Sequence, residues 1–74
     1  MKFGAYHRER GWVEDSGVGG TYSWDVERAG WHDSAQAWVD ELVATDIVDA
    51  TDFQDNPITV DVLEQHGWLF PRLL

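Results

Sequence analysis

Hydrophobic and polar residues alternate most regularly in the stretch TYSWDVER at 21–28. Along residues 21–28 every second side chain is apolar, which predicts a β-strand with one buried face. Its apolar positions are Tyr22, Trp24 and Val26. About residues 2–15 are rich in aromatic and β-branched side chains and predict one or two shorter strands. Because the glycine-rich stretch SGVGG at 16–20 allows a tight reversal, about residues 2–28 are predicted to form an antiparallel hairpin or sheet.

The hydrophobic period changes after residue 33. Apolar side chains then recur at i, i+3, i+4, i+7 and i+8, which predicts an amphipathic helix over about residues 34–45. The apolar stripe comprises Ala35, Trp38, Val39, Leu42 and Val43. Asp33 is the predicted N-cap, and Gln36 three residues later makes a variant of the capping box.

A second, shorter helix is predicted over about residues 60–66. Thr59 is its predicted N-cap, and Gly67 suits the left-handed position that follows a helix. His66 precedes that glycine and is interpreted as a residue that meets the last carbonyls of the helix. Residues 68–71 are predicted to form either a short strand or an extended tail that packs on the core.

This order of elements predicts a single α+β domain over residues 1–74, with two short helices covering one face of an antiparallel sheet. A chain of 74 residues supports only a small core, and without cysteine neither disulfides nor a thiolate zinc site can reinforce it. So small a fold is therefore stabilised either by good packing alone or by self-association as a homodimer. No apolar run resembles a signal peptide or a membrane span, so the expected location is the cytoplasm.

The acidic residues are distributed unevenly along the chain. The formal net charge is −9, and residues 29–74 account for −8 of it, with nine acidic residues against Arg72 alone. Binding to nucleic acid or to an anionic membrane requires cationic groups, so neither is expected as a direct partner. A basic protein partner, a cation or simple solvation remains as the reason for these carboxylates.

The stretch TDIVDATDFQDNP at 45–57 places an aspartate at every third position. If this stretch were helical, its carboxylates would wind slowly round the helix axis; an extended or turn conformation is the alternative. Together with two acids of the first helix, these aspartates are the predicted partner-binding carboxylates. They are Asp40, Glu41, Asp46, Asp49, Asp52 and Asp55.

No pattern in the chain predicts catalysis or a cofactor. No sequence signature pairs a nucleophile with one of the three histidines, and so small a domain rarely forms a deep, water-excluding pocket. The aspartate spacing of three does not match the calcium-binding EF-hand loop. His7, His32 and Asp33 follow no metal-ligand spacing. The chain is therefore predicted not to be an enzyme, with no catalytic residue, no cofactor and no metal site.

The five tryptophans divide into two groups. Trp24, Trp38 and Trp68 occupy predicted core positions of their elements. Trp12 and Trp31 lie beside glycines in predicted loops or strand ends, where they either complete the small core or anchor an interface. These two residues are the remaining predicted partner-binding residues.

In size, acidity and lack of cysteine, the chain resembles the inhibitors of restriction and CRISPR nucleases that phages and mobile elements encode as nucleic-acid mimics. The resemblance implies that a basic, nucleic-acid-binding nuclease complex is the partner. It rests on no shared motif, so it assigns no residue. The alternative function is a structural or accessory homo-oligomer whose acidic surface serves only solubility, for example in a salt-rich cytoplasm.

Overall fold

A computed structural model describes residues 1–14, 21–53 and 56–73, and within them four strands precede the two α-helices and two further strands follow them. The strands are β1 (Lys2–Phe3), β2 (Tyr6–His7), β3 (Gly11–Val13), β4 (Tyr22–Ser23), β5 (Trp68–Leu69) and β6 (Arg72–Leu73). The helices are α1 (Ala35–Ala44) and α2 (Val60–Gln65). The α+β class is confirmed, and the predicted C-terminal strand is present as β5.

The strands form two antiparallel sheets, one ordered β4-β3-β2-β5 and the other formed by β1 and β6. Tyr6 of β2 lies opposite Trp12 of β3 and opposite Leu69 of β5. Directly paired residues share a face, and neighbours along a strand alternate between faces. One face of the larger sheet therefore carries Tyr6, Trp12 and Leu69, whereas Val13 and Trp68 belong to the other.

The core lies between the Val13 and Trp68 face of the sheet and the two helices. It comprises Ala5, Val13, Trp38, Val39, Leu42, Val48, Leu63 and Trp68. The predicted stripe of α1 supplies three of these residues, so its period is confirmed. Both helices lie on one side of the larger sheet, as predicted.

The buried side chain of Trp38 connects α1 to β1. Its indole N–H donates a hydrogen bond to the Phe3 carbonyl, 35 positions away in sequence, and its ring meets His32 edge-on at 4.5 Å. The backbones of Phe3 and His32 exchange two hydrogen bonds of 2.9 and 3.0 Å. The start of the chain is thereby fixed to the segment that leads into α1.

The strand predicted over residues 21–28 is wrong beyond Ser23. The Asp25 carboxylate accepts a 2.9 Å hydrogen bond from the Glu27 N–H and caps a 3₁₀ turn at Val26–Arg28. The Ser23 hydroxyl accepts a 3.1 Å bond from the Asp25 N–H. Short polar side chains that bond to nearby backbone groups compete with a strand ladder, and here that competition ends the strand.

Two side chains predicted to face the core are consequently exposed. Trp24 is 64% exposed and Val26 is 49% exposed. The assignment of Trp24 to the core is therefore wrong, whereas Trp38 and Trp68 are buried as predicted. The predicted SGVGG turn at 16–20 lies outside the described residues, but the strands on either side of it pair antiparallel as a hairpin requires.

The N-cap of α1 differs from the prediction by one residue. Ser34, not Asp33, has the extended backbone of a cap, and its hydroxyl accepts a 3.1 Å hydrogen bond from the Ala37 N–H. Gln36 does not complete a capping box; its side-chain amide donates to the Asp40 carboxylate at 3.2 Å.

The second helix has the predicted ends. The Thr59 hydroxyl accepts from the Val62 N–H at 3.3 Å, and His66 is the C-cap. Gly67 follows with φ of +96°, a backbone conformation that a side chain would strain. A Cβ atom at this position would also lie 3.3 Å from the Nε2 of His7.

The Trp38 connection generates a stability prediction. Trp38→Phe should lower the free energy of unfolding by about 2 kcal/mol or more, because it removes a buried hydrogen bond and leaves a cavity. Trp24→Phe, the same substitution at an exposed position, should change it by less than about 0.5 kcal/mol. Urea unfolding followed by circular dichroism measures both values, and equal values would contradict the role given to Trp38.

Candidate interaction surfaces

The carboxylates of the helical side form one of two candidate surfaces. Residues 29–70 contain nine acidic residues and no Lys or Arg. We define the acidic helical surface by the exposed carboxylates on α1, on α2 and on the segment between them. They are Asp40, Glu41, Asp46, Asp49, Asp52, Asp61 and Glu64. Asp55, also predicted to bind a partner, lies outside the described residues.

Asp46 ends α1 and redirects the chain. Its φ of +61° is left-handed, and its N–H donates to the Val43 carbonyl at 3.2 Å. Aspartate and asparagine adopt this conformation more readily than other side-chain-bearing residues. The turn lets the Val48 N–H reach the Leu42 carbonyl at 3.0 Å, which places Val48 in the core. The aspartate series therefore does not follow one helix, and of the two sequence alternatives the turn is correct.

Asp49 is held at the start of a 3₁₀ turn at Ala50–Phe53. Its carboxylate accepts a 2.7 Å hydrogen bond from the Thr51 hydroxyl and a 2.9 Å bond from the Thr51 N–H. These two bonds, the hydroxyl first, lower the pKa of Asp49 below the usual 3.8. Asp49 is thus an exposed, ionised carboxylate with a fixed orientation.

Two carboxylates of α1 are also oriented by neighbours. Glu41 lies 3.1 Å from the Nε2 of His32, and Asp40 accepts from Gln36. Among the described residues, no Lys or Arg nitrogen lies within salt-bridge distance of the acidic helical surface. Among the described residues, Arg28 is the arginine that forms an ion pair, and it does so with a residue of the strand side. Its Nε lies 3.4 Å from the Oε1 of Glu14.

The second candidate surface is a groove of about 650 Å³, which we call the aromatic groove. Its walls are Lys2, Trp12, Val26, Glu27, Ala29, Trp31, Pro71, Arg72 and Leu73. The fold thus brings together Trp12 and Trp31, the two tryptophans predicted from sequence as interface anchors. Trp31 is 45% exposed, and the Lys2 ammonium lies 4.9 Å from its ring centroid.

The other residues of the aromatic groove were not predicted. Val26 is directed outward only because the 3₁₀ turn replaces the expected strand. Lys2 and Arg72 lie 70 positions apart, and the pairing of β1 with β6 brings their two strands together at the groove. No local pattern in the sequence could have identified this pairing.

A smaller cavity of about 180 Å³ brings several titratable groups together. His7, His66, Arg10, Asp49 and Asp52 contribute to its walls, with Trp68 and hydrophobic neighbours. The rings of both histidines meet aromatic rings edge-on, at 4.9 Å for one and 4.8 Å for the other. Within the described part of the chain, no three His, Asp or Glu side chains are arranged to hold a metal ion. His7 packs against Trp68, and His66 packs against Phe53.

Comparisons with family models, curated proteins and solved structures found no match to this chain. Neither helix in the described residues is long and apolar enough to cross a membrane. The two surfaces therefore have to be interpreted from their own geometry and charge.

The contacts of Asp49 generate a pH prediction. Thr51→Val should raise the pKa of Asp49 toward 3.8, because it removes the hydroxyl that lowers it most. Carboxyl chemical shifts followed by NMR between about pH 2 and 6 measure the change. Thr21→Val, at an exposed threonine outside this segment, should leave the Asp49 pKa unchanged.

The same pKa shift has a consequence for stability. The folded pKa of Asp49 lies below its unfolded value of 3.8, so the ionised carboxylate stabilises the fold above pH 3.8. This contribution to the free energy of unfolding is lost as the pH falls from 3.8 through the folded pKa. Asp49→Asn keeps a capping side chain but does not titrate, so its stability should fall less steeply below about pH 4. Thermal unfolding across this pH range measures the slope, and a slope equal to that of the unsubstituted protein would contradict the proposed role of the Thr51 contacts.

Proposed function

We propose that this protein is a small acidic binding module that docks a basic protein on its acidic helical surface. The observation that supports the proposal is the separation of charge in the fold. The helices and the segment between them carry carboxylates without any Lys or Arg, whereas all five Lys and Arg residues lie in the strands or the turns beside them. Among the described residues these carboxylates form no ion pair with Lys or Arg, although Arg10 shares a small cavity with Asp49 and Asp52. Their excess produces a negative potential, which attracts a positively charged protein.

The partner in this proposal is a nucleic-acid-binding protein, specifically a nuclease complex that the module inhibits. Carboxylates on the acidic helical surface take the positions that phosphates occupy in the partner's basic groove. The orientation of Asp49 by Thr51, of Glu41 by His32 and of Asp40 by Gln36 supports this role. Side chains that are already oriented lose less conformational entropy when a partner binds.

The proposal extends to the origin and location of the protein. An inhibitor of a nuclease that defends a cell against foreign DNA suits a phage or another mobile element, and it would act in the cytoplasm. A small monomeric or dimeric module needs no catalytic residue, cofactor or metal for such a role, because it acts by occupying a surface. Direct binding to nucleic acid or to a membrane is not part of the proposal.

A second function is favoured by a different observation. Trp24 and Trp31 are exposed at 64% and 45%, and the aromatic groove is largely apolar. Exposed aromatic residues beside an apolar groove are typical of contact surfaces. In a structural or accessory homo-oligomer, these residues would form the contact and the carboxylates would only keep the assembly soluble.

Replacement of four aspartates tests the acidic helical surface. The immobilised protein should capture a basic, nucleic-acid-binding protein from a lysate of its host, and excess duplex DNA should release that protein. Replacing Asp46, Asp49, Asp52 and Asp55 with Asn should weaken binding by about 1–4 kcal/mol and flatten its dependence on salt. Asparagine remains suited to the left-handed turn and to the cap, so circular dichroism should show an intact fold.

A matched pair of variants separates the position of the charges from their number. Asp40→Asn with Asp52→Asn removes two exposed carboxylates from the acidic helical surface. Glu9→Gln with Asp25→Asn removes two exposed carboxylates from the strand side and changes the net charge equally. Only the first pair should weaken capture. Equal effects of the two pairs would reject docking on the acidic helical surface and leave general electrostatic attraction.

A further inference from the structure

The aromatic groove has features that the proposed partner does not explain. Among the described residues, the exposed large hydrophobic side chains are Met1, Trp24, Val26 and Trp31. Val26 and Trp31 line the groove, and Met1 directly precedes Lys2 in its wall. Trp24 meets the ring of Tyr6 at 6.2 Å, and Tyr6 meets the groove residue Trp12 at 5.0 Å. The exposed apolar side chains are therefore concentrated on one side of the molecule.

One face of the larger sheet continues this apolar surface. Tyr6, Trp12 and Leu69 share that face and are only half-buried. Both helices pack on the opposite face, and no helix of the described ranges covers this one. Gly4 lies against the Trp12 ring, but the part of this face that remains exposed can add apolar contacts to those of the groove.

The charges of the groove indicate which molecule covers it. A chain with a net charge of −9 repels its own copies over most of its surface. The groove is different, because Lys2 and Arg72 lie in its walls with Glu27. A basic partner would meet these two cations there, whereas a second copy would bring its own Glu27 toward them.

We propose that the aromatic groove binds a second copy of this chain and forms a two-fold symmetric dimer. In such an interface each contact occurs twice, so Glu27 of each copy faces Lys2 and Arg72 of the other. Trp12 and Trp31 of both copies bury their exposed surface in its centre. Both helices pack on the face of the larger sheet opposite Tyr6, Trp12 and Leu69, so the contact does not require their exposed carboxylates to meet.

The size of the core supports the same proposal. Eight buried hydrophobic residues form the core of the described part of the chain, and the sequence has no cysteine for a disulfide. Domains of this size commonly gain stability through oligomerisation. Covering the aromatic groove adds apolar contacts that the monomer lacks.

A charge exchange between copies tests the dimer directly. Glu27→Lys makes the charged groove residues all positive, whereas Lys2→Glu with Arg72→Glu makes them all negative. Each variant should be monomeric by itself, because identical grooves then repel. An equimolar mixture of the two should form a heterodimer, detected as a mixed mass by native mass spectrometry. The proposal is overturned if each variant dimerises alone, or if the mixture contains only monomers while the unsubstituted protein is a dimer.

A second variant tests the apolar part of the contact. Trp31→Ser should raise the dissociation constant of the dimer by about tenfold or more, measured by sedimentation equilibrium. Asp40→Asn with Asp52→Asn, on the acidic helical surface, should leave the dimer intact. Circular dichroism checks that each variant is folded. An unsubstituted protein that sediments as a monomer up to about 1 mM would overturn the proposal.

Salt distinguishes this proposal from docking of a basic partner. Raising NaCl from about 50 to 500 mM screens both the net repulsion between two acidic copies and the attraction of Glu27 to Lys2 and Arg72, so the apolar contact should let the dimer persist. Binding of a basic protein to the acidic helical surface should weaken over the same range. Dimerisation that weakens in parallel with partner binding would contradict an apolar interface. Loss of dimerisation alone leaves the proposed partner binding intact, and loss of partner binding alone leaves the proposed dimer intact.

Discussion

The hydrogen bond from Trp38 to the Phe3 carbonyl connects the helical layer to the start of the chain, and the position of both candidate surfaces depends on it. The Phe3 carbonyl also accepts from the His32 N–H, so one oxygen joins β1, the segment before α1 and α1 itself. Because β1 pairs with β6, the same connection fixes Arg72 opposite Phe3 and places the strands that carry Lys2 and Arg72 side by side. A buried indole without this acceptor would leave a polar group unsatisfied, which gives the arrangement its specificity.

The elements that the sequence predicted correctly are those with local signals. The apolar stripe predicts α1, and Thr59 and Gly67 predict the two ends of α2. Each signal comes from residues close together in the sequence, and both helices form where the signals predict them. The strand over 21–28 was wrong because two short polar side chains bond to their own backbone, an effect that alternation does not detect. Trp12 and Trp31 were both predicted from the sequence as interface residues. Their cationic neighbours Lys2 and Arg72 come from the two ends of the chain, so only the tertiary pairing of β1 with β6 identifies them as part of the groove.

The aspartate series shows how one residue type can have several roles in a short segment. Asp46 occupies a left-handed turn that ends a helix, and Asp49 begins a 3₁₀ turn through its contacts with Thr51. Both roles are structural, yet both leave the carboxylate exposed. The spacing of three in the sequence therefore reflects turns rather than one helical face. These structural roles leave both carboxylates charged and exposed to solvent.

The confinement of every Lys and Arg to the strand side has a consequence at distances beyond contact. With carboxylates alone on the helices and mixed charges on the strands, the molecule has a dipole moment as well as a net charge. In the field of a cationic surface it experiences a torque that turns the helices toward that surface before the two touch. The same torque should give the protein a single preferred orientation on an anion-exchange matrix, with its strands facing the solvent.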